Sequence, residues 1–461
     1  MTAMCNEIIK LGVLFVGRQR PGFDMEWGAA VEKRVCAALG TTSFEIFEPP
    51  QKVVDEPTLR TALADCIEAG VSVVLALQST MADARLVLSF SQSWPDPILL
   101  WATPEKPDGQ MISSCSLVGV QLWASILRRL EHPFEILCGD PDDQAVLGQL
   151  QVAVRVAFAC RKLRTARLGV VGGQAPGFLA MAMDPMVLQR TLGPQQQNFT
   201  LLEFTEVVAS FPEDRVAVDV EAVKALGIPH KDTSDDDLPT ASRLYLAMRH
   251  FMDEEGCEAL AVRCWPEMPR VCGQWPYLGM VRLAEEGRAI ACEGDGDGAL
   301  NALICEQLGI GPCYLSDWLE HDQDTITLWH AGLAPFSLSC PRGEAGGPQI
   351  ARHFNFPNPA VVDSVLAPEM NVTCCRLWRL GEQYHLTAFE GRTEIPKRQY
   401  LGTHGVVRLT DPSGPGPERM LRHLCDAGMP HHMTMVEGHH AALLRSFARM
   451  AGIGWVPVGD Q

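Results

Sequence analysis

Histidine is concentrated near the end of this chain. Five of its 13 histidines fall in residues 423–440, and four of these lie in the stretch HHMTMVEGHH, residues 431–440. Imidazole nitrogens bind divalent metals, and histidine also titrates near neutral pH. Histidines alone do not hold a hard cation, so the chemistry depends on which oxygen ligands the fold brings to them.

Acidic residues that could serve as such ligands follow two short apolar runs. Glu293 and Asp295 stand in ACEGDGDGAL (291–300), beyond the end of a predicted buried strand and before a predicted helix. Glu267 follows the apolar run CEALAVRC (257–264) in a similar way. Parallel strands end at one edge of a sheet, where open α/β folds bind ligands. Carboxylates together with an imidazole therefore indicate a manganese or magnesium site.

Two other interpretations of the acidic stretch are weaker. Gly294, Gly296 and Ala299 fit the G-x-G-x-x-A pattern of a dinucleotide-binding loop, but the acids interleaved with them would repel a pyrophosphate. The acids and Gly298 also match the first positions of a calcium-binding EF-hand loop. Ile304, however, stands where that loop requires its last ligand, a glutamate.

Composition indicates a folded globular enzyme of two or three domains. The chain has 461 residues, of which 47% are hydrophobic and 20% charged. Its net charge of -18 disfavours nucleic acid and anionic membrane surfaces as partners. Sixteen irregularly spaced cysteines without a C-x-x-C pair predict reduced thiols rather than a zinc ribbon. The N-terminal stretch has no signal-peptide or membrane-spanning pattern, so we expect a cytoplasmic protein.

Hydrophobic periodicity predicts the elements that position these residues. LGVLFVG, GVSVVLAL and PILLWA, within residues 11–102, alternate with helical patterns, as is typical of a parallel sheet covered on both faces. The alternation resumes at LGVVGGQAPGF (168–178), whose pattern is similar to that of residues 11–23. From about residue 325, short strands such as TITLWHAG indicate an antiparallel sheet or barrel. A helix over 440–452 closes the chain.

The predicted fold class is therefore α/β, with two Rossmann-like doubly wound domains and a β-rich, antiparallel, barrel-like C-terminal domain. The predicted boundaries are 1–160, 161–324 and 325–461. The second domain would carry the carboxylates, and the third would carry the metal histidine and the final helix. Within the second, Asp297 is expected to cap the start of a helix and Gly309 to mark its end.

Four stretches make the sequence similar to the superfamily of L-fucose isomerase and L-arabinose isomerase, especially its fucose-isomerase-like members. They are GGQAPGF, RCWPE, ACEGDGDGAL and HHMTMVEGHHAALLRSFARMAGI, and the resemblance covers most of the chain. It implies the fold just described and a divalent metal held by two carboxylates and one histidine. Mn²⁺ is the expected ion, with Mg²⁺ or Co²⁺ as other possibilities. It also implies homo-oligomers whose active sites are completed by a neighbouring subunit.

The activity that the resemblance implies is aldose–ketose isomerisation of an open-chain monosaccharide through an ene-diolate. Transferred to this sequence, His432 is expected to be the metal histidine, and Asp295 or Glu293 the carboxylate beyond the strand. Glu267 is expected to be the second metal acid. Glu267 and Asp295 would also perform the acid–base catalysis.

Further residues are expected at the substrate. Arg18 resembles a substrate-binding arginine of fucose isomerases, and Trp265 stands in the shared Trp-Pro-Glu motif. His330 resembles a histidine that arabinose isomerases place near the metal, and His431 is expected to contact the substrate or support the metal ligands. Asp317 stands near the position of a metal glutamate in arabinose isomerases.

Two alternatives stay open at this point. A non-catalytic sugar-binding or regulatory protein could use the same α/β scaffold, because fold does not determine function. An epimerase could use the same ene-diolate chemistry. The remaining histidines of the stretch, His439 and His440, are expected to be polar residues at the start of the last helix.

Overall fold

The computed structural model of the chain describes residues 8–17, 22–411 and 414–458. The chain divides into two compact units. One extends to Lys162 and includes Arg449–Gly452, and the other covers Leu163–Ala448 together with the residues from Ile453 onward. The predicted substrate residue Arg18 lies outside the described residues. The predicted division into three domains at residues 160 and 324 stays a prediction.

The first unit is built on a five-stranded parallel sheet with the order β2-β1-β3-β4-β5. Its strands are β1 (Lys10–Val16), β2 (Glu45–Phe47), β3 (Val73–Gln78), β4 (Ile98–Ala102) and β5 (Phe134–Cys138). Its helices are α1 (Met25–Leu39), α2 (Glu56–Glu68), α3 (Arg85–Ser93), α4 (Ser116–Arg129) and α5 (Gln144–Thr165), which runs into the second unit. The apolar runs that predicted β1, β3 and β4 are buried along these strands, which confirms an α/β fold with a parallel sheet.

The second unit begins with a four-stranded parallel sheet of order β7-β6-β8-β9. Its strands are β6 (Arg167–Val171), β7 (Gln195–Phe199), β8 (Ala259–Val262) and β9 (Ala289–Ala291). The helices are α6 (Pro185–Thr191), α7 (Leu201–Ser210), α8 (Glu213–Ala225), α9 (Leu238–Asp253), α10 (Met268–Val271), α11 (Tyr277–Glu285) and α12 (Gly296–Gln307). Neither parallel sheet has the six-stranded 3-2-1-4-5-6 order of the Rossmann fold. The prediction of two Rossmann-like domains is therefore not confirmed in that form.

Helix α12 begins earlier than the sequence predicts. Asp295, rather than Asp297, caps it by accepting a hydrogen bond from the backbone N–H of Gly298 at 2.9 Å. Asp297 lies in the first turn and is buried. The physical reason is the sharp turn that follows β9, which places Asp295 directly before the first turn of the helix.

The rest of the second unit is a β-barrel with flanking strands. Its strands are β10 (Tyr314–His321), β11 (Thr325–His330), β12 (Gln349–Ala351), β13 (Val361–Val365), β14 (Asn371–Leu380), β15 (Gln383–Glu394), β16 (Thr403–Leu409), β17 (His432–Glu437) and β18 (Gly454–Trp455). Two helices, α13 (Pro417–Asp426) and α14 (Ala441–Met450), accompany them. Six strands in the order β16-β11-β10-β17-β14-β15 pair antiparallel, and the pairing of β15 with β16 closes the ring. The prediction of a barrel-like antiparallel region is confirmed.

The histidine-rich stretch is divided between two kinds of structure. His432 starts β17, whereas His439 and His440 lie between that strand and α14. Among the described residues, no helix is long and apolar enough to cross a membrane. The described cysteines are free thiols.

Candidate functional site

The loop between β9 and α12 presents the carboxylate of Glu293. Glu293 has a φ of 58°, a left-handed conformation that residues with side chains seldom adopt outside constrained sites. The next residue, Gly294, also has a positive φ, and a Cβ there would lie 2.0 Å from the carbonyl oxygen of Gly173. The backbone N–H of Ala175 donates to the Glu293 carbonyl at 2.8 Å. The GGQAPGF loop thus packs against this turn and fixes it.

Strand pairing in the barrel brings Asp317 to His432. The two residues stand directly opposite each other in the β10–β17 ladder, so their side chains share one face. His432 Nε2 lies 3.9 Å from Asp317 Oδ1 and 3.3 Å from Glu293 Oε2. Nevertheless, His432 Nε2 and Asp317 Oδ1 are both buried without a hydrogen-bond partner among the described residues. Other buried atoms among the described residues also lack a partner, but these two lie side by side next to the Glu293 carboxylate, an arrangement that is compatible with a bound ligand.

The second ring nitrogen of His432, Nδ1, is hydrogen-bonded to Asp295. Its Nδ1 lies 2.8 Å from Asp295 Oδ2. Arg376 donates to both oxygens of Asp295, from Nη1 to Oδ2 at 2.6 Å and from Nη2 to Oδ1 at 2.9 Å. With the Gly298 N–H on Oδ1, each oxygen of Asp295 accepts two hydrogen bonds. The side chains of His432, Asp295 and Arg376 are all completely inaccessible to solvent.

The two carboxyl groups nearest His432 Nε2 have pKa values displaced in opposite directions. Burial raises the pKa of Asp317 to about 6, because it penalises the charged form. Burial also acts to raise the pKa of Glu293, but the neighbouring histidines, chiefly His432, outweigh it and lower that pKa. Environments that separate the pKa values of two acids are typical of acid–base catalysis.

Asp295 and His432 form a strongly coupled pair. Burial opposes the ionisation of Asp295, but Arg376 and His432 hold its pKa well below its ordinary value. Burial likewise opposes the charged form of His432, but the carboxylates of Asp295 and Glu293 raise its pKa to about 9. A metal that binds Nε2 would therefore have to displace a proton from the imidazole.

His431 lies at the open side of this arrangement. Its side chain is about half exposed, and its Nε2 is 4.0 Å from Asp317 Oδ1. The ring packs edge-on against Phe178 of the GGQAPGF loop, with centroids 5.1 Å apart. Burial and the charge of His432 lower the pKa of His431 to about 4, so it is neutral at physiological pH. A neutral, accessible imidazole can form hydrogen bonds with a polar ligand.

His330 is buried beneath the site and has a defined tautomer. Its Nδ1 accepts the backbone N–H of Ala331 at 2.8 Å, so the ring hydrogen is on Nε2, 3.3 Å from Cys292 Sγ. Burial lowers its pKa to about 3. His330 is therefore a neutral donor to a thiol at this position.

Within the described ranges, two groups of side chains offer ligand atoms within 4.8 Å of one another. Glu293, His431 and His432 form one, and Cys292, His330 and His432 form the other. A carboxylate with imidazoles suits a hard or borderline divalent cation, whereas a thiol suits softer ions. The hydrogen on His330 Nε2 removes one ligand atom from the second group. The first group is compatible with a divalent cation. Asp317 belongs to neither group, but its Oδ1 lies 3.9 Å from His432 Nε2 and 4.0 Å from His431 Nε2.

Glu267 and Trp265 have other neighbours. The carboxylate of Glu267 is bound through both oxygens by Arg263, and its side chain is 28% exposed. The hydrogen bonds from Arg263 lower the pKa of Glu267. Trp265 stacks on Trp275 with ring centroids 5.6 Å apart. Neither group of ligand atoms found among the described residues includes Glu267, so its metal and catalytic roles stay predictions.

Sequence reasoning gave little weight to Asp317 and missed Arg376 entirely. An aspartate inside the strand YLSDWLEH, and an arginine inside the apolar run CCRLW, are both signals of a buried polar group that needs a partner. His439, expected to be a polar residue at the start of the last helix, lies just before α14, with its Nδ1 3.9 Å from Glu390 Oε2.

Sequence comparisons point to enzymes of one chemical class. The chain is 25% identical to a sulfoquinovose isomerase from Priestia aryabhattai over 96% of this chain and 98% of that protein. It is 26% identical to a sulfoquinovose isomerase from Alkalicoccus urumqiensis, over 89% and 91% of the two chains. An L-arabinose isomerase from Thermotoga neapolitana is 26% identical over 42% of this chain and 40% of its own length.

Other comparisons add little. No protein-family model matches the chain. Among solved structures, a glucose-galactose binding protein from Geobacillus stearothermophilus covers 66% of this chain and 92% of its own, at 10% identity. Its TM-score is 0.17, which is too low to show a shared fold. The sequence relatives, which extend over nearly the whole chain, are sugar isomerases by name and support that kind of activity here. The chain is an isomerase enzyme.

Proposed function

We propose that the chain is a metal-dependent aldose–ketose isomerase that acts on an open-chain sugar through an ene-diolate. The observation that supports this most strongly is the pair of unpartnered buried atoms, His432 Nε2 and Asp317 Oδ1, beside the carboxylate of Glu293. Two carboxylates and one imidazole fit Mn²⁺, and also Mg²⁺ or Co²⁺. When bound, such a cation polarises the carbonyl oxygen of the sugar and stabilises the negative charge that develops there.

The proposed ligands are Glu293, Asp317 and His432. This set differs from the sequence-based prediction, because Asp317 takes the place expected for Glu267. Arg263 occupies both oxygens of Glu267, whereas Asp317 stands opposite His432 in the barrel. Asp295 also leaves the ligand set in this proposal, because each of its oxygens already accepts two hydrogen bonds.

Acid–base roles follow from the pKa values of the two site acids. Glu293, with its lowered pKa, is ionised at neutral pH and would take the proton from C2 and return it at C1. Asp317, whose pKa burial raises to about 6 in the metal-free protein, is the group we propose to exchange the hydroxyl proton. His431 is neutral and half exposed, and would donate a hydrogen bond to a sugar hydroxyl.

The substrate we propose is sulfoquinovose or a closely similar sulfonated aldose. The support is the name shared by relatives that match this chain over most of its length. Trp265 stays the proposed apolar contact for the sugar ring carbons, since it stacks in an aromatic cluster beyond β8. Homo-oligomers in which Arg18 of a neighbouring subunit completes the site remain a proposal from the family resemblance.

The alternative of a non-catalytic sugar-binding protein loses its support, because relatives that match the chain over nearly its full length are enzymes. An epimerase is distinguished from an isomerase by its product. Protonation of the ene-diolate at C1 gives a ketose, whereas protonation at C2 from the opposite face gives an epimeric aldose.

The test is a substrate panel followed by NMR. Purified protein, dialysed against a chelator and then supplied with Mn²⁺, is incubated with sulfoquinovose, D-glucose, L-arabinose or L-fucose. D-Glucose is the matched control, since it has a hydroxyl in place of the sulfonate. We expect a ketose from sulfoquinovose only when metal is present. Full activity in metal-free protein, or no conversion of any sugar, would contradict the proposal, and an epimeric aldose would indicate the epimerase.

A further inference from the structure

We infer that Arg376 is a positioning residue for the metal site, acting through Asp295 to hold the imidazole of His432 in its ligand orientation. The inference rests on the proposed metal-dependent function. None of the three side chains is accessible to solvent. Of the three, only His432 is a proposed ligand and lies near Glu293 and Asp317. Arg376 would therefore influence the site without touching the metal or the sugar.

The first step is the contact between Arg376 and Asp295. Arg376 lies on β14, and its guanidinium makes a bidentate pair with the carboxylate at 2.6 and 2.9 Å. Bidentate arginine–carboxylate pairs fix orientation as well as charge, because the fork of the guanidinium matches the plane of the carboxylate. Asp295 is thus held in one plane by Arg376 and by the N–H of Gly298.

The second step is the contact between Asp295 and His432. Asp295 Oδ2, which already accepts a hydrogen bond from Arg376, also bonds to His432 Nδ1 at 2.8 Å. An ionised carboxylate can only accept a hydrogen bond, so the hydrogen must lie on Nδ1. The lone pair available to a metal is then on Nε2, the atom that faces Glu293 and Asp317. Carboxylate partners of metal histidines act in this way, and their loss costs about 10- to 100-fold in metal affinity.

Arg376 is needed because the carboxylate is buried. Without the guanidinium, Asp295 would be a buried anion paired only with the imidazole and one backbone N–H, and such a charge is strongly disfavoured. The carboxyl group would then take up a proton or turn towards other donors. Either change removes the acceptor that fixes His432.

A second buried pair in the same unit provides a matched control. Arg282 and Asp219 also form a bidentate pair, at 2.8 and 2.7 Å, with both side chains 10% exposed. They join α11 to α8, and Arg282 also lies over the ring of Tyr245. Substitution there reports the general cost of breaking a buried ion pair.

The experiment measures Mn²⁺ binding by electron paramagnetic resonance, together with thermal melting, in wild type, Arg376→Met, Arg376→Lys, Arg282→Met and Asp295→Asn. We expect Arg376→Met and Asp295→Asn to bind Mn²⁺ about 10- to 100-fold more weakly. Arg376→Lys should recover part of that loss, since it restores the charge without the fork. Arg282→Met should melt at a lower temperature and still bind Mn²⁺ as wild type does.

Several outcomes would overturn the inference. Wild-type affinity in Arg376→Met would do so, as would an equal loss of affinity in Arg282→Met. If Arg376→Met does not fold, the Mn²⁺ affinities of Asp295→Asn and Arg376→Lys provide the test. Wild-type Mn²⁺ affinity in both of these variants overturns the inference. A wild-type protein that binds no Mn²⁺ overturns the proposed metal site itself. Binding by wild type with unchanged affinity in the Arg376 and Asp295 variants overturns only the positioning role.

Discussion

Glu306 makes the stability of the site-bearing helix dependent on pH. It lies near the end of α12, and its carboxylate packs against Gly311. Burial alone raises its pKa from an ordinary value of 4.5 to about 7. A carboxyl group with a raised pKa in the folded protein binds its proton more tightly there than in the unfolded chain. The folded state is therefore favoured at low pH and loses that advantage as pH rises.

The size of the effect follows from the displacement of the pKa of Glu306. Below its ordinary pKa the carboxyl group is protonated in both the folded and the unfolded state and does not lower the free energy of unfolding. Between this value and about 7 the free energy of unfolding falls with rising pH, and above 7 the full cost of about 3 kcal/mol applies. Glu306→Gln is neutral at every pH. It should therefore be more stable than wild type by up to about 3 kcal/mol at about pH 8.5, and by much less at about pH 5.

Differential scanning calorimetry of both proteins across this pH range measures the difference. Glu206→Gln, in α7, is a control at an exposed glutamate and should show no such trend. If the free energies of unfolding of wild type and Glu306→Gln differ by the same amount at every pH, the reasoning is refuted. A difference that grows towards low pH would have the wrong sign and would refute it as well.

Three further predictions concern the site. His432→Ala should lose metal and turnover while His440→Ala keeps most of both, and similar behaviour of the two variants in metal binding and activity assays would show that the ligand is misassigned. Glu267→Gln should bind Mn²⁺ as wild type does, whereas Asp317→Asn should bind it at least about tenfold more weakly. If titration calorimetry shows instead that Glu267→Gln binds Mn²⁺ more weakly than Asp317→Asn, Glu267 is the ligand, as the sequence predicts. In heavy water the product should carry deuterium on carbon, and Glu293→Gln, which removes the proposed base, should slow turnover at least about a hundredfold. Complete retention of the substrate hydrogen by NMR would argue for a hydride shift.

The coarse fold could be predicted from the sequence because its strongest signals are local. Continuous apolar runs gave β1, β3 and β4, and alternation with helical patterns indicated a parallel sheet. The strand β17 could not be recognised in the same way. Histidine and methionine dominate HHMTMVEG, neither of them typical of strands, and its pairing with β10 and β14 is a tertiary effect.

The site was predicted only where a motif marks it. Glu293 and His432 stand in stretches rich in acids or histidines, so their types attract attention. Asp317 and Arg376 stand within strands and belong to no recognisable motif, and their contacts with His432 and Asp295 form only when the barrel closes. Spacing along a loop does not show which carboxylate lies at which nitrogen of the imidazole. The proposal of Glu293 as the ligand therefore depends on the hydrogen bonds of Asp295, which engage Nδ1.

The central claim is that Glu293, Asp317 and His432 together hold a divalent cation. The most direct measurement is a crystal structure of the Mn²⁺-loaded protein with anomalous diffraction data collected near the manganese absorption edge. We expect a single strong anomalous peak bounded by Glu293, Asp317 and His432 Nε2, with Asp295 still bonded to Nδ1. A peak beside Glu267, or no peak in a protein that turns over sugar without metal, would contradict the account.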